Sequence, residues 1–316
     1  MMETIFSNFA LIIGTTLMYS TPLIYTSLGG VLAENSGVIN IGLEGMMIIG
    51  AFAGATLGYF VGNPWIAFIG AGVAGGIYGL LHAVACVSFG ANQVVSGIAI
   101  NFLGIGVALF LSRMFFEGAT MTKSIPLDFK MPRPLNGVFP DGSFLNIILD
   151  NQYATVYVAL IFVLLIWFFL YKTKYGLRLR SVGEHPTAAD TLGINVIRIR
   201  YFAVIMSGVM AGFGGAAMSL AIVSNFRPTL ISGHGFIALA AMIFGKWKPQ
   251  GALLACLLFG GSQGLAVFLG QFNFEISSQL ISMLPYVITI VVLIGFVGKS
   301  AAPAADGIPY EKEHKY

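Results

Sequence analysis

Four ionisable side chains lie inside apolar stretches, and they are the first candidates for chemistry: Glu34, Glu44, His82 and His234. Exposing such a group to lipid is costly, so it is expected to face a cavity, a pathway or another helix. A carboxylate there could exchange protons or ions during transport. It could instead accept hydrogen bonds from backbone N–H groups and hold a helix break in shape. His82, isolated in a Gly/Ala-rich stretch, favours a hydrogen bond between helices.

Both acids belong to one segment, LAENSGVINIGLEGMMIIGAF, which mixes polar residues with glycines. Glycines loosen a helix, and a helix broken inside a membrane protein presents backbone ends and amide side chains to a cavity. We therefore predict a broken second helix, with Asn40 and Glu44 on a solute pathway.

A second polar stripe opens the stretch ANQVVSGIAINFLG, and it consists of Asn92, Gln93, Ser96 and Asn101. Residues three or four apart share a helix face, and this face is too polar for contact with lipid alone. It is predicted to line the pathway or to bind another helix. Ser262 and Gln263 form a similar pair further along.

The sequence lacks the motifs of a catalyst. It contains neither H-E-x-x-H nor G-x-S-x-G, and Gly298-Lys299-Ser300 is no phosphate loop because Leu293 occupies the position of the required first glycine. Cys86 and Cys256 lie in apolar stretches and are interpreted as core residues. We expect no enzyme, no cofactor and no metal site, so any ATP that drives this protein binds to another chain.

Composition indicates a membrane protein. Hydrophobic residues are 57% of the chain and charged residues 9%, against about a quarter charged in soluble domains. The net charge of +3 comes from the loops and offers no basic face for nucleic acid. The start, MMETIF, lacks the basic region of a signal peptide, so the first span should be retained.

Apolar stretches of about 20 residues are long enough to span a membrane. They predict spans at 8–30, 40–62, 65–89, 93–115, 153–171, 201–223, 251–270 and 279–298. Phe236 to Gly245 is only half as long and is interpreted as a half-helix. The expected fold is an all-α polytopic membrane protein of eight or nine transmembrane helices, some broken, in one domain over 1–316.

Basic residues in the loops set the expected orientation, since cytoplasmic loops are enriched in Lys and Arg. The 172–200 loop carries six of them, and it is placed in the cytoplasm together with the 299–316 tail. The N-terminus and the 116–152 loop then lie outside. That loop is rich in Pro and Gly, and it could be an ordered cap or a flexible connector.

Within the 172–200 loop, GEHPTAADTLG predicts a short helix from Pro186 to Leu192. Proline suits its first turn and Gly193 the left-handed position beyond its end. Ala188, Ala189 and Leu192 are expected to share a small apolar face. Such a short helix needs a partner surface, so we interpret it as a docking helix for a cytoplasmic protein. A plain connector is the alternative.

Two regions of the chain resemble each other. Ser36-Gly37 followed by Met47 to Gly50 is echoed by Ser232-Gly233 followed by Met242 to Gly245. Halves that enter the membrane from opposite sides form the inverted repeat of many transporters, although Gly/Ala-rich sequence also produces chance likeness. Glycines four apart, as in Gly75/Gly79 and Gly208/Gly212, predict close helix packing.

The motifs together resemble a known family. NSGVINIGLEGMMIIGAF, ANQVVSGIAINFLG, GLRLRSVGEHPTAADTLGINVIRIRYFAVIMSGVMAGFGGAAMSL and FIALAAMIFGKWKPQGALLACLLFG are similar to permease subunits of bacterial ABC transporters, in the branched-chain amino-acid and simple-sugar superfamily. The nucleoside and simple-sugar subgroup is the most similar, over about residues 8 to 298.

The resemblance implies a multi-pass subunit of an importer in the bacterial cytoplasmic membrane. Its implied partners are a cytoplasmic ABC ATPase, a second and different permease, and an external solute-binding lipoprotein. The segment matching the ATPase docking site contains Glu184, Pro186, Ala188, Ala189, Asp190 and Gly193. The resemblance implies a nucleoside as the solute. The neutral polar stripe is compatible with a nucleoside, and these segments contain no basic residue to pair with a phosphate.

Two other functions stay open. An ion-coupled transporter would use Glu34 or Glu44 as its coupling carboxylate, and a branched-chain amino-acid permease would share the ABC architecture. A membrane-embedded enzyme is disfavoured, because no paired catalytic groups occur.

Overall fold

The computed structural model describes residues 2–140, 142–270, 283, 287, 290, 291 and 301–311. Across these residues the chain is helical and contains no strand. The predicted 279–298 span lies outside the described residues, apart from four positions. The all-α prediction is confirmed.

The helices of the described part follow in this order: α1 (Met2–Glu34), α2 (Leu43–Val61), α3 (Pro64–Ala83), α4 (Gln93–Phe115), α5 (Ala154–Lys172), α6 (Lys174–Glu184), α7 (Pro186–Thr191), α8 (Val196–Ala216), α9 (His234–Phe244) and α10 (Pro249–Leu269). Wide π-helical turns extend α3 over Val84–Ser88 and α8 over Ala217–Ile222. Seven of these helices are long and apolar enough to cross a membrane: α1, α2, α3, α4, α5, α8 and α10. The predicted half-helix is α9, which has 11 residues.

Glycines bring α3 and α8 into close contact. A Cβ added to Gly75 would stand 2.2 Å from the carbonyl oxygen of Gly208, and one added to Gly212 would stand 2.3 Å from that of Ala71. Only glycine tolerates such an approach. In lipid, close van der Waals packing of this kind drives helix association, so the prediction from the spaced glycines is confirmed.

One end of the bundle, here called the loop end, is covered by residues 116–152. The Ile125 N–H donates to the Ser224 carbonyl at 2.8 Å, and the Thr122 hydroxyl accepts from the Phe226 N–H at 2.8 Å. Ile125 and Met131 are buried. Of the two forms left open for this segment, the structure shows the ordered cap over its described residues.

The opposite end, here called the basic end, contains α6, α7, the turn between α9 and α10, and residues 301–311. This last segment, here called the tail strap, folds back on the bundle. The Ala305 N–H donates to the Gly183 carbonyl at 2.8 Å, and Arg200 Nη1 donates to the Ile308 carbonyl at 2.9 Å. Arg200 is buried, whereas sequence analysis counted it only as a loop charge.

The short helix α7 confirms part of its prediction. It begins at Pro186, Leu192 follows it, and Gly193 has a left-handed φ of 80°. The prediction that Ala188, Ala189 and Leu192 share one apolar face is wrong. Ala189 turns inward and packs with Val182, Val196 and Tyr310, while Ala188 and Leu192 are exposed.

Candidate functional site

The first helix break lies between α1 and α2, at residues 35–42. The predicted break therefore falls before α2, which is continuous from Leu43 to Val61, and not inside it. Gly37 turns the chain with φ 84°, a conformation that favours glycine. The backbone groups released by a break inside a bundle need partners.

Side chains from α3 and α4 supply those partners. Gln93 Oε1 accepts from the Ile39 N–H at 2.7 Å, and His82 Nε2 lies 3.0 Å from the Ile39 carbonyl oxygen. Asn101 uses both ends of its amide. Its Oδ1 accepts from the Gly45 N–H at 2.8 Å, and its Nδ2 donates to the Ile41 carbonyl at 3.0 Å.

The polar stripe therefore contacts the first break. Ser96 joins it indirectly, because its hydroxyl lies 2.9 Å from Nδ1 of His82. His82 thus bonds between helices, as predicted. Asn92 stands apart: it is exposed and caps α4 by accepting from the Val94 and Val95 N–H groups at 3.0 and 3.1 Å.

Two buried polar atoms at this break have no hydrogen-bond partner in the described structure, Asn40 Oδ1 and Gln93 Nε2. The other end of the Asn40 amide donates to the Ser207 hydroxyl at 2.9 Å. Buried polar atoms are almost always paired, and each exception calls for an explanation. One acceptor and one donor are thus left available here.

The second helix break lies between α8 and α9, where Ser232 and Gly233 both have left-handed φ values, 36° and 93°. It contains the second Ser-Gly pair noted in the sequence. The inverted relation between the two halves stays a prediction.

Glu44, in the first turn of α2, holds this second break. Its Oε1 accepts from the Gly233 N–H at 2.6 Å and its Oε2 from the Gly235 N–H at 2.7 Å. A carboxylate at a helix N-terminus is stabilised by the unpaired N–H groups and the helix dipole. A Cβ on Gly235 would stand 2.5 Å from the Glu44 Cα, so glycine is required there.

The geometry matches one of the two roles expected for a buried acid, that of an acceptor for backbone N–H groups. The break it holds, however, is not the one beside it in sequence but one about 190 positions away. Local sequence carries no signal for such a long-range contact.

Other polar side chains near the second break were missed by the sequence analysis. Thr56 Oγ1, Ser219 Oγ and Asn225 Oδ1 are buried atoms without a partner in the described structure. Each is a single polar residue in an apolar window, too weak a signal to stand out. Gln263, noted in the sequence, reaches His234, with the two Nε2 atoms 3.3 Å apart.

A third cluster joins the first break to the basic end. Glu34 accepts from Trp247 Nε1 at 2.5 Å, and its carboxyl is hydrogen-bonded to that of Asp306 in the tail strap. Burial raises the pKa of Asp306 to about 7, against the opposing effects of the Gly307 N–H and the Arg200 charge.

The segment matching the docking site surrounds α7. Glu184 Oε2 accepts from the Ala304 N–H of the tail strap at 3.3 Å, and the Asp190 carbonyl accepts from Gly193 at 2.9 Å. The exposed residues of this segment are Glu184, His185, Thr187, Ala188, Thr191, Leu192 and Gly193. Among the described residues, no group of His, Cys, Asp or Glu could hold a metal ion.

A family model for the permease component of branched-chain amino acid transport systems matches residues 12–293. The guanosine ABC transporter permease NupQ of Bacillus subtilis is 45% identical, with 96% of this chain and 97% of NupQ covered. The nucleoside ABC transporter permease NupC of Lactococcus lactis is 43% identical with the same coverage. TsgC13 of Haloferax volcanii, provisionally named a glucose ABC transporter permease, is 35% identical over 89% of this chain and 90% of its own.

No solved structure matches the chain. The seven apolar helices of the described part and the family agree with the expected location, the bacterial cytoplasmic membrane, and with a multi-pass integral subunit. The chain belongs to the family of permease components of ABC transporters that includes the branched-chain amino acid systems.

Proposed function

We propose that this chain is a translocation subunit of an ABC importer for nucleosides. The observation that carries the proposal is the junction at Glu44, where the two helix breaks meet beside the unpaired amide atoms of Asn40 and Gln93. Broken helices around buried polar groups are a common way to build a solute site in a transporter.

The chemistry of the junction suits a neutral solute. Asn40 Oδ1 can accept a hydrogen bond and Gln93 Nε2 can donate one, which is what ribose hydroxyls and base edges require. The Glu44 carboxylate at the junction already has a backbone N–H on each oxygen. Two of the relatives are named for guanosine or nucleoside transport, which supports the same solute class.

The same contacts disfavour Glu44 as the carboxylate of an ion-coupled mechanism. A coupling carboxylate must gain and lose its ion during each cycle. Both oxygens of Glu44 accept hydrogen bonds from backbone N–H groups of the second break, so an ion would have to compete with these contacts.

Coupling to ATP hydrolysis is assigned to α7 and its surroundings. The exposed side chains of α7 form a small surface for a cytoplasmic ATPase. Helix α6 packs closely against the first break, since a Cβ added to Gly183 would stand 2.2 Å from the Asn35 carbonyl oxygen. A displacement of α7 would therefore reach residues 35–42 through one helix.

The remaining partners follow from the architecture of the family. We propose a second, different permease, because a path between two subunits requires one, and an external solute-binding lipoprotein that delivers the solute. In α4 only 28% of the most apolar window is buried inside this chain, so this helix has the largest area left for a neighbouring subunit or for lipid.

Uptake measurements test the solute. Cells lacking this chain are compared with cells in which it is restored, using labelled uridine, adenosine, ribose and leucine. We expect nucleoside uptake to return. Restoration of leucine uptake alone would contradict the assignment, and restoration of ribose alone would move the chain to the sugar-transporting branch.

A substitution on α7 tests coupling. Ala188→Arg adds bulk and charge to the exposed face, and we expect normal membrane insertion with loss of both ATPase association and uptake. Ala119→Arg, the same change at an exposed residue of the loop end, is the matched control. Unchanged uptake with the ATPase still bound to Ala188→Arg would refute the role of α7.

A further inference from the structure

A groove of about 690 Å³ lies at the basic end, between the C-terminal turns of α5, helix α6 and the start of α8. Its lining combines two arginines, Arg178 and Arg198, with an apolar wall. The wall includes Phe169, Leu192, Ile199 and Phe202. The groove is separate from the translocation junction, and it shares only Leu192 and Gly193 with the docking segment around α7.

The two arginines are exposed and have no acidic partner. No described Asp or Glu lines the groove, and the ion pair found among the described residues, Lys123 with Glu117, lies at the loop end. The Arg178 guanidinium lies over the Tyr175 ring, 5.9 Å from its centroid. A stacked guanidinium keeps its N–H donors free in the ring plane.

The apolar wall belongs to the membrane-facing surface. The Phe169 and Phe202 rings lie 6.1 Å apart at the end of two membrane-spanning helices, and Phe202 is 48% exposed. Above the groove, α5 exposes a continuous apolar face through Ile161, Leu165 and Phe168. Lys172 follows on the same helix, near Trp167, as expected where a span leaves the hydrocarbon region.

We propose that this groove binds an anionic phospholipid of the inner leaflet. Its phosphate would pair with Arg178 and Arg198, and its acyl chains would lie against Phe202 and the exposed face of α5. A free phosphate would gain nothing from the apolar wall, and a zwitterionic lipid, whose net charge is zero, would leave the charge of both arginines uncompensated. Basic pockets between helices on the cytoplasmic side are known to suit anionic headgroups.

The position of the groove gives the lipid a role. The groove is lined by α6, the helix that packs against the first break. It is also lined by Leu192 and Gly193, which follow α7. A bound lipid would fix α6 against α5 and α8. Anionic lipid should therefore raise the transport-linked ATPase activity of the complete transporter.

The test uses the purified complete transporter in nanodiscs of phosphatidylcholine with or without phosphatidylglycerol. Retained lipid is counted by native mass spectrometry, and solute-stimulated ATPase activity is measured. The double variant Arg178→Gln/Arg198→Gln should bind phosphatidylglycerol roughly thirtyfold more weakly, because each basic residue near an anionic surface contributes about a factor of five. It should also lose the stimulation.

The matched control is Lys246→Gln/Lys248→Gln, which removes the same charge from exposed positions of the basic end outside the groove. It should bind lipid normally. Phe202→Ala tests the apolar wall and should weaken binding of phosphatidylglycerol but not of inorganic phosphate.

Three outcomes would overturn the proposal. The first is equal lipid retention by the two double variants. The second is competition by inorganic phosphate as strong as that by the lipid, which would make the site a plain anion site. The third is loss of the ATPase subunit from the arginine variant in phosphatidylcholine alone, which would make the groove an ATPase contact.

Discussion

Both helix breaks contain a Ser-Gly pair, near the start of the first break and at the end of the second, and they are held in different ways. The first, at 35–42, is tied to α3 and α4 by several side chains, among them Gln93 and Asn101. At the second, Glu44 alone supplies both side-chain acceptors for the N–H groups that start α9. The first break is thus held by side chains from two helices, whereas the N–H groups that start α9 are held by a single carboxylate from the opposite half of the chain.

This difference indicates a division of labour. A segment held by many independent bonds keeps its shape when one bond is lost, whereas a segment held by one residue moves with that residue. The first break is suited to be a fixed wall of the pathway. The second break is suited to move, and Glu44 is the residue that connects it to α2.

The largest effect on transport is expected from substitution of Glu44. Glu44→Ala leaves two buried N–H groups without acceptors, at about 1–3 kcal/mol each, and transport should fall roughly tenfold or more. Glu44→Gln keeps one acceptor and should be intermediate. Uptake is measured per amount of membrane-inserted protein, with Glu117→Ala, which breaks an exposed ion pair, as the control. Wild-type uptake by Glu44→Ala would remove the residue from the mechanism.

A smaller effect is expected at the first break. Asn101→Ala removes two bonds to Gly45 and Ile41, but Gln93 and His82 still hold the neighbouring Ile39. The loss should be about 1–2 kcal/mol of folding free energy, with uptake reduced severalfold. Thermal unfolding of the purified transporter measures the first quantity. If Asn101→Ala were as damaging as Glu44→Ala, the contrast between the breaks would fail.

The tail strap offers a test that depends on pH and involves only the first break. Burial raises the pKa of Asp306 from its ordinary value of 3.8 to about 7, so the docked strap favours the protonated acid. The protonated Asp306 carboxyl stabilises the docked tail strap fully below about pH 4, and this stabilisation is lost as the pH rises through about 7. The facing groups are Glu34, which shares a hydrogen bond with it, and the charge of Arg200.

Hydrogen exchange of the amides at 301–311 should therefore be faster at pH 8 than at pH 5, after correction for the intrinsic rates. Asp306→Asn, which stays neutral, should flatten this difference. Asp128→Asn at an exposed position of the loop end is the control. A pH dependence that survives Asp306→Asn would assign it to another group.

The smallest effect is expected from Ser207→Ala. It removes one bond from the Asn40 amide, whose nitrogen keeps a weak contact with the Met46 sulfur. We expect about 0.5–1.5 kcal/mol of destabilisation and nearly normal uptake. A large loss of uptake at unchanged stability would show that Asn40 must be held in a defined orientation for the solute. The first break would then be more important for transport than the second.

Much of this architecture could be predicted because it is local. Hydropathy located the spans, short length identified α9, and Gly193 and the two Ser-Gly pairs marked chain turns that need left-handed backbone. The pairing of Glu44 with α9 and the burial of Arg200 could not be predicted. Both join positions more than 100 residues apart, and periodicity carries no information on such contacts. The face of Ala189 was missed for the same reason, since Tyr310 of the strap covers it.

The tail strap also has a consequence for the order of assembly. Residues 301–311 contact Gly183, Glu184 and Arg200, yet the ribosome makes them after every described helix. Domains fold from the N-terminus during synthesis, so the spans can enter the membrane while the support beneath α7 is still missing. On the proposed docking of an ATPase at α7, the support beneath this helix is complete only after residues 301–311 have been made, so recruitment of the ATPase would follow synthesis of the described spans.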